Sequence, residues 1–459
     1  MEAVAVPAEL READEAAISA IGLEALVAKA GYALAMGVRR AAGRCVGLRV
    51  VVLIGPGLNG ADGRAAAKVL RNFGATVLEV EVGAPVLPAC DVVVDAAFGT
   101  GCSRPFAPPL LTGSPLIVAA DLPSGLDATT GVVHGRSLKA DRTVTFGATK
   151  PGLLFQEGRA LAGVVEVATL DLTLKTAVER VTERDLELLP PLSSERHKWT
   201  VAVGVVAGSP GMYGAPSLVA AAALHTGAGM ACVATSATEL PLAREAVLSP
   251  LPLTEWSTLA TTTFARCGSV IIGPGIGRAE DLREKLTALL LACEQAVVLD
   301  ADALHLLGPV SELSSILSRR SSTAPVVLLP HDGEYTSLFG SSPGTDRLEA
   351  ARALAAASGA TVLLKGPTTV VAPPDGGMAY VVNGNPSNLA TAGSGDVLAG
   401  ICGAMLARND LPGSAARTVA LAARLHAVAA ALGPRQGLVS SDLPAYVAEV
   451  LGGGANHGG

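Results

Sequence analysis

The sequence predicts an α/β protein of two domains, each built on a parallel sheet, and three observations carry that reading. The chain has 459 residues, which at roughly 150 residues per domain means two or three domains. Two series of short Val, Ile and Leu runs, each ending in Gly, Asp or Pro, alternate with Ala-rich helical stretches. Unbroken apolar runs of this kind suit strands buried on both faces. Between the two series lies a polar, proline-marked segment, residues 179–197, with Glu183-Arg184-Asp185 and Pro190-Pro191. The boundary is expected there, giving domains 1–190 and 191–459.

Residues 1–47 read as mainly helical and amphipathic. The first series places strands at 48–54, 76–82, 91–95, 116–121 and 143–146. The second places them at 201–207, 230–235, 269–273, 296–300, 326–329 and 361–364, and residues 452–459 read as a frayed tail. From Trp199 to Thr238 there is no Asp, Glu, Lys or Arg, but Gly204, Gly208, Pro210, Gly211, Gly214, Pro216, Gly227 and Gly229 interrupt the stretch. It reads as buried strand, glycine loop and packed helix, and no membrane partner is expected.

Composition narrows the function. Hydrophobic residues make up 50% and charged residues 16%, the profile of a densely packed globular chain. Aromatics are only 3%, and Lys+Arg 34 against Asp+Glu 41 leaves a net charge of −7 with no basic run. Both facts argue against a nucleic-acid partner. Seven cysteines are scattered singly with no C-x-x-C, a reduced pattern. Glu2, Glu9, Arg11 and Glu12 precede any apolar run, so no signal peptide is expected. The expected setting is cytoplasmic, and a homo-oligomer is expected.

The candidate chemistry of the first half lies at strand ends. Gly55-Pro56-Gly57-Leu58-Asn59-Gly60-Ala61-Asp62-Gly63 follows a strand and opens a helix. It contains G-x-G-x-x-G with Glu79 about 20 residues on, formally a dinucleotide fingerprint. A tight strand-to-helix turn explains the glycines equally well. Asn59 and Asp62 go beyond a turn, offering oxygens in a loop whose glycines let backbone carbonyls approach a cation or polar ligand. Asp95 leads to Gly99-Thr100-Gly101-Cys102-Ser103-Arg104-Pro105, and Asp121 leads to Leu122-Pro123-Ser124-Gly125-Leu126-Asp127. One Asp at a strand end is ordinarily a cap or turn former. Three polar groups at successive strand ends, Asn59, Asp95 and Asp121, are expected to converge on one crevice, with Arg104 placed for a phosphate.

The second half is more specific. Gly273-Pro274-Gly275-Ile276-Gly277, Asp300-Ala301-Asp302, Pro330-His331-Asp332-Gly333-Glu334 and Lys365-Gly366 each follow a strand. The run Asn385-Pro386-Ser387-Asn388-Leu389-Ala390-Thr391-Ala392-Gly393-Ser394-Gly395-Asp396-Val397-Leu398-Ala399-Gly400 then opens a helix. Small residues there leave backbone N–H groups free at the positive end of the dipole, an anion hole for a transferring phosphoryl group. Asp396 beside them is a candidate general base on a hydroxyl nucleophile.

These motifs resemble the family of bifunctional NAD(P)H-hydrate repair enzymes over nearly the whole chain. In that family an epimerase domain precedes an ADP-dependent dehydratase domain of the ribokinase-like superfamily. The family's G-x-G-N-N-G-G-D-G loop corresponds to residues 55–63, with Leu58 and Ala61 where the family has Asn and Gly. Its D-A-x-x-G-T-G-x-x-R corresponds to 95–104, and its D-[IL]-P-S-G-L-D to 121–127. Its G-A-P helix start matches Gly214-Ala215-Pro216, G-P-G-[LI]-G matches 273–277, P-H-x-G-E matches 330–334 and K-G-x-x-T matches 365–369. Its N-P-x-x-A-T-[AG]-G-[ST]-G-D-V-L-[AS]-G resembles 385–400, with one extra residue before Ala390-Thr391.

The resemblance implies an N-terminal Rossmann-like three-layer domain and a C-terminal ribokinase-like domain. It implies that Asn59, Asp95 and Ser124 hold a potassium ion. Leu58, Asn59, Gly60, Ala61, Asp62, Gly99, Thr100, Gly101, Cys102, Ser103, Arg104, Pro105 and Asp121 would meet the hydrate in the first domain, with Asp121 catalytic and Lys150 a further candidate. In the second, Ala215, Gly277, His331 and Asp396 would face the hydrate, with Asp396 catalytic. Lys365, Gly366, Pro367, Thr368, Thr369 and Gly395 would face an adenine nucleotide, ADP or ATP with magnesium. The substrates implied are hydrated NADH and NADPH, called NADHX and NADPHX. Leu58 and Ala61 imply a weakened epimerase. The rival reading is a ribokinase-like small-alcohol kinase with a non-catalytic N-terminal binding or oligomerisation module.

Overall fold

The computed structural model describes residues 1–101, 104–237, 243–252 and 254–453. Two compact units divide it, Glu2–Val178 and Glu179–Gly459 with Met1. The division falls twelve residues ahead of the expected 190/191 because the polar segment belongs to the second unit's fabric. Val181 N–H donates to the Val381 carbonyl at 2.9 Å, Val181 lies in that unit's core, and Leu186 and Leu189 pack on it.

The first unit is a six-stranded, all-parallel sheet in the order Thr76–Glu81, Arg49–Ile54, Val92–Ala96, Leu116–Ala120, Arg142–Phe146, Val164–Ala168. The Val50–Ile54 and Val92–Ala96 runs are buried, as strands covered on both faces must be. Helices Leu23–Ala42 and Leu58–Asn72 pack together over one face, and Gly31 makes the approach possible. A methyl on Gly31 would lie 2.4 Å from the Ala65 Cβ. The edge strand Val164–Ala168, half exposed, lacks the unbroken apolar run that marks the others.

Nine strands of the second unit run in the order Ala379–Val382, Thr369–Ala372, Thr361–Leu364, Val326–Leu328, Ala296–Leu299, Ser269–Ile272, Ala202–Val206, Met230–Thr235, Ala246–Pro250. From Thr361–Leu364 onward the neighbours are parallel, and the first three pair antiparallel. Helix Ala415–Leu432 is long and apolar enough to cross a membrane by length and composition, yet 67% of it is buried within the protein. Val419, Ala420, Leu421, Ala422 and Leu425 lie in the hydrophobic core, the pattern of a core helix.

In each unit the strand order reverses beside the first strand of its series. Arg49–Ile54 has Thr76–Glu81 on one side and Val92–Ala96 on the other; Ala202–Val206 has Met230–Thr235 and Ser269–Ile272. Connections leaving such a strand diverge, and the crevice between them is where open α/β sheets bind ligands.

Helices Gly214–His225 and Ser394–Leu406 meet at Gly400, where a methyl would lie 2.4 Å from the Val219 carbonyl oxygen and 2.8 Å from the Ala222 Cβ. Gly400→Ala should therefore lower stability by about 1–3 kcal/mol in urea denaturation, even though alanine is the better helix former by about 1 kcal/mol. An unchanged or raised midpoint would contradict this packing.

Candidate active sites

The first unit's site is built where the chain can come close to itself. A methyl on Gly55 would lie 1.7 Å from the Ala97 carbonyl oxygen, and one on Gly60 would lie 2.0 Å from the Gly55 carbonyl oxygen. Only glycine admits this contact, so the loop after Arg49–Ile54 is clamped to the loop after Val92–Ala96. Asp95 ends the latter strand, fully buried; Ser124 gives it an N–H at 2.9 Å and a hydroxyl at 2.6 Å. The Ser124 Oγ also accepts from Phe98 N–H at 2.9 Å. Burial holds the Asp95 carboxyl above its usual range, with the Ser124 and Ala97 donors opposing.

Asp121 follows Leu116–Ala120 with φ of 66°, a left-handed conformation that aspartate tolerates better than most residues. That turn brings its carboxylate onto Lys150, which is 1% exposed, in an ion pair. The Lys150 ammonium donates as well to Thr145 Oγ1 at 3.0 Å and to the Phe146 carbonyl at 2.6 Å. A methyl on Gly99 would sit 3.1 Å from Asp121 Oδ2 and 3.6 Å from Asn59 Oδ1, so three strand ends do converge.

Above this floor is a cavity of about 750 Å³. Its walls include Leu58, Asn59, Asp62, Gly99, Thr100, Gly101, Arg104, Pro105 and Asp121, with Lys150. Cys102 and Ser103 lie outside the described residues. Gly60 and Ala61 do not line it. Gly60 is spent on the contact with Gly55, and Ala61 lies within helix Leu58–Asn72 without positive φ, so a glycine's conformational freedom is not needed there. Leu58 is 55% exposed at the helix start. Asn59 is 8% exposed, and its Nδ2 has no hydrogen-bond partner.

Asp14, absent from the sequence-based set, also lines the cavity. It sits on helix Pro7–Ile21 one turn from Leu10 and one from Ile18, which line the same wall. A carboxylate inside an apolar i, i+4, i+8 stripe is the signal that marks it. Burial pushes Asp62 up to about 8, with Asp121 and then Asp14 adding. Asp14 is raised too, by burial, with Lys150 opposing and Asp121 adding.

The second unit repeats the logic with different parts. Asp300 ends Ala296–Leu299 and is 1% exposed; Lys365, following Thr361–Leu364, reaches its Oδ1 at 2.7 Å and lies 3.6 Å from Glu334 Oε2. These two carboxylates outweigh the cost of burial and hold the ammonium above its usual range. His331 caps helix Asp332–Phe339, its Nδ1 accepting from Gly333 and Glu334 N–H at 3.0 and 3.2 Å. Its Nε2 is 3.5 Å from Glu334 Oε1, so Glu334 joins His331 to Lys365.

Asp302 accepts from Gly277 N–H at 3.0 Å and from Arg278 at 2.7 Å. Ala215 lies against the neighbouring Gly275, where a methyl would be 3.2 Å from its Cβ. A methyl on Gly395 would lie 3.6 Å from Lys365 Nζ and 3.8 Å from Asp300 Oδ2, which puts the start of helix Ser394–Leu406 directly over the ion pair. The N–H groups of Gly395 and Asp396 carry no hydrogen bond among the described residues. Asp396 is pushed up to about 7 by burial and Asp300, with Lys365 opposing and Asp302 adding. Gly366 and Thr369 are tied through Asn385, whose Nδ2 donates to the Gly366 carbonyl at 2.9 Å and to Thr369 Oγ1 at 3.2 Å. Thr368 and Thr369 are buried, and Pro367 lies between Gly366 and Thr368 in the same turn.

The Asp300–Lys365 pair generates a stability prediction. Lys365→Met leaves Asp300 in a dry site without its cation, and breaking a buried pair costs about 3–5 kcal/mol. Because the abandoned carboxylate relieves that cost by taking a proton, the loss in denaturation should be larger at pH 8 than at pH 5. A pH-independent loss, or none, would contradict the pair's burial.

Two family profiles match the chain: one described as NAD(P)H-hydrate dehydratase over residues 203–451 and one described as YjeF-related protein N-terminus over residues 79–152. The chain is similar to the bifunctional NAD(P)H-hydrate repair enzyme Nnr of Mycobacterium leprae, at 36% identity over 93% of each chain. It is similar to the enzyme of that name from Thermofilum pendens at 34% identity, over 88% of this chain and 87% of the relative. Among solved structures it resembles the ADP/ATP-dependent NAD(P)H-hydrate dehydratase of Bacillus subtilis co-crystallised with ATP and Mg²⁺. That match has 26% identity and a TM-score of 0.50, over 60% of this chain and 98% of that one. The likeness to the two-part relatives runs through both units, and the chain belongs to the family of bifunctional NAD(P)H-hydrate repair enzymes.

Proposed function

We propose that this chain restores hydrated NADH and NADPH, the second unit dehydrating the S hydrate at the expense of an adenine nucleotide and the first interconverting the R and S hydrates. The observation that carries the reading is Asp396: a carboxyl poised near neutrality beside helix-start N–H groups that carry no hydrogen bond among the described residues, and near the half-buried Lys365 ammonium. Hydroxide is a poor leaving group, so the ring hydroxyl of the hydrate must first be activated. Asp396 takes the hydroxyl proton as the oxygen attacks the terminal phosphorus of ADP or ATP. The Gly395 and Asp396 N–H groups and Lys365 meet the charge of the transferring phosphoryl group. The phosphate then leaves with the C–O bonding pair, and the ring nitrogen's lone pair and loss of a ring proton restore the dihydropyridine. Magnesium with the nucleotide would supply charge neutralisation.

In the first unit Asn59, Asp95 and Ser124 would hold a potassium ion. The oxygens of the set, the fully buried Asp95 carboxylate, the Ser124 hydroxyl and the Asn59 amide Oδ1, suit a hard monovalent cation. When bound, the ion would offset the charge of Asp95. Asp121, fixed by Lys150, and the cavity walls orient the hydrate. We also infer a reducing compartment, consistent with six free cysteines among the described residues, five of them buried. The small-alcohol-kinase reading is not favoured, since the named relatives align through both units.

Asp396→Asn should cut dehydration by about 10²- to 10⁴-fold while nucleotide binding persists, read as recovery of reduced-nicotinamide absorbance from the S hydrate with ADP or ATP and Mg²⁺. Wild-type kcat should fall as pH is lowered through about 7, where the base becomes protonated. A variant within a few-fold of wild type would reduce Asp396 to a helix cap. For the other unit, Leu58→Asn should speed R-to-S interconversion and Asp121→Ala should remove it. Wild type at the uncatalysed rate, unrescued by Leu58→Asn, would leave this unit a binding module.

A further inference from the structure

The first-unit cavity carries more acid than its ammonium can serve. Asp14, Asp62, Asp121, Lys150 and Arg104 are the charged groups on its walls. Lys150 is committed to Asp121, Thr145 and the Phe146 carbonyl, and an ammonium has three donors. Neither Asp14 nor Asp62 has a hydrogen-bond or ion-pair partner among the described residues. Asn59, more than nine-tenths buried on the same wall, presents an Nδ2 that likewise has none. Unserved polar groups lining one cavity of this size describe a place prepared for a polar ligand.

We infer that Asp62 and Asp14 are the acid and base of this cavity, exchanging protons with the hydroxyl of the bound hydrate and with the water that replaces it. The inference rests on the epimerase reading and assigns that site its proton-transfer groups. Inverting the hydrated carbon requires its C–O bond to break and reform on the opposite face. The Asp62 carboxyl gives its proton to the ring hydroxyl; the bond breaks, water leaves with the bonding pair, and the nitrogen lone pair becomes the second bond of an iminium. Water then adds to the other face, the nitrogen recovers its lone pair, and the surplus proton passes to the Asp14 carboxylate. Asp62 has lost the proton that Asp14 gained, and exchange with solvent restores both. Nothing is oxidised or reduced.

Inversion calls for two groups, and two different helices each bring one to the cavity. Asp62 stands near the start of helix Leu58–Asn72, and Asp14 stands on helix Pro7–Ile21. At neutral pH Asp62 keeps the proton it must give, being held up to about 8 by burial, Asp121 and Asp14.

The test is R-to-S interconversion by the full chain without nucleotide, followed across pH, with hydrate Kd measured alongside. The wild-type rate should fall as pH rises through about 8, where the acid is lost. Asp62→Asn and Asp14→Asn should each slow interconversion by about 10²- to 10⁴-fold, with hydrate Kd within a few-fold, and Asp62→Asn should abolish the fall near pH 8. Thermal unfolding gives a second readout. A folded-state value raised above the usual 3.8 contributes stability below about pH 4 that is lost as pH rises through about 8. The amide variant should therefore gain on wild type over that range. Variants that bind the hydrate and epimerise within a few-fold of wild type, or that lose binding instead of rate, would overturn the assignment. A wild type that does not epimerise would overturn the epimerase reading and this inference with it.

Discussion

Each unit gathers more carboxylates around the C-terminal edge of its sheet, from strand ends and from the helices over them, than it supplies with cations, and the chemistry of both sites depends on that imbalance. Lys150 serves Asp121, leaving Asp14 and Asp62; Lys365 serves Asp300 and Glu334, leaving Asp396. A carboxylate denied both water and a partner does not stay ionised at an enormous cost; it keeps its proton to a higher pH. Asp62 and Asp396 thus reach about 8 and about 7, the range in which a carboxyl can both give and take a proton under ordinary conditions. One such group is suited to donate, the other to accept.

The imbalance follows from the fold. Parallel strands deliver all their C-termini to one edge, so any acid that ends a strand is brought beside the others. Val92–Ala96 and Ala296–Leu299 each place a fully buried Asp there, Asp95 and Asp300. Glycine lets the flanking loops close over them: a methyl on Gly273 would lie 1.9 Å from the Asp300 carbonyl oxygen, much as Gly55 meets Ala97. Strain collects in the same places. Asp121 and Ala301, both next to strand ends, adopt φ of 66° and 51°, conformations that L-residues hold only where the surroundings enforce them.

Much of this was legible in the sequence, for a physical reason. A strand buried on both faces must be apolar without interruption, so Val50–Val52 and Val203–Val206 announce themselves. Val164–Ala168 and Ala246–Pro250 do not, because partial exposure lets Glu166 and Ser249 into them. The boundary was misplaced because a polar composition suggested a linker, whereas Val181, Leu186 and Leu189 spend their few apolar side chains on the second unit's core. In the sites, acids next to glycine loops were readable as local motifs. Asp14 carries only the weaker signal of its place in the Leu10–Ile18 stripe, because helix packing rather than a strand end ties it to the cavity, and the Lys150–Asp121 pair joins residues 29 apart. For Ala61 the helix removes one of the two reasons for a glycine, a positive φ.

The proposed activities meet in one reaction mixture. Racemic hydrate given to the full chain with ADP and Mg²⁺ should recover its reduced-nicotinamide absorbance in two phases, a fast one consuming the S hydrate and a slower one paced by epimerisation. Asp121→Ala should slow only the second phase to the uncatalysed rate, and Asp396→Asn should suppress both. Recovery that never begins with either ADP or ATP, or two phases that Asp121→Ala leaves unchanged, would contradict the division of labour between the two units.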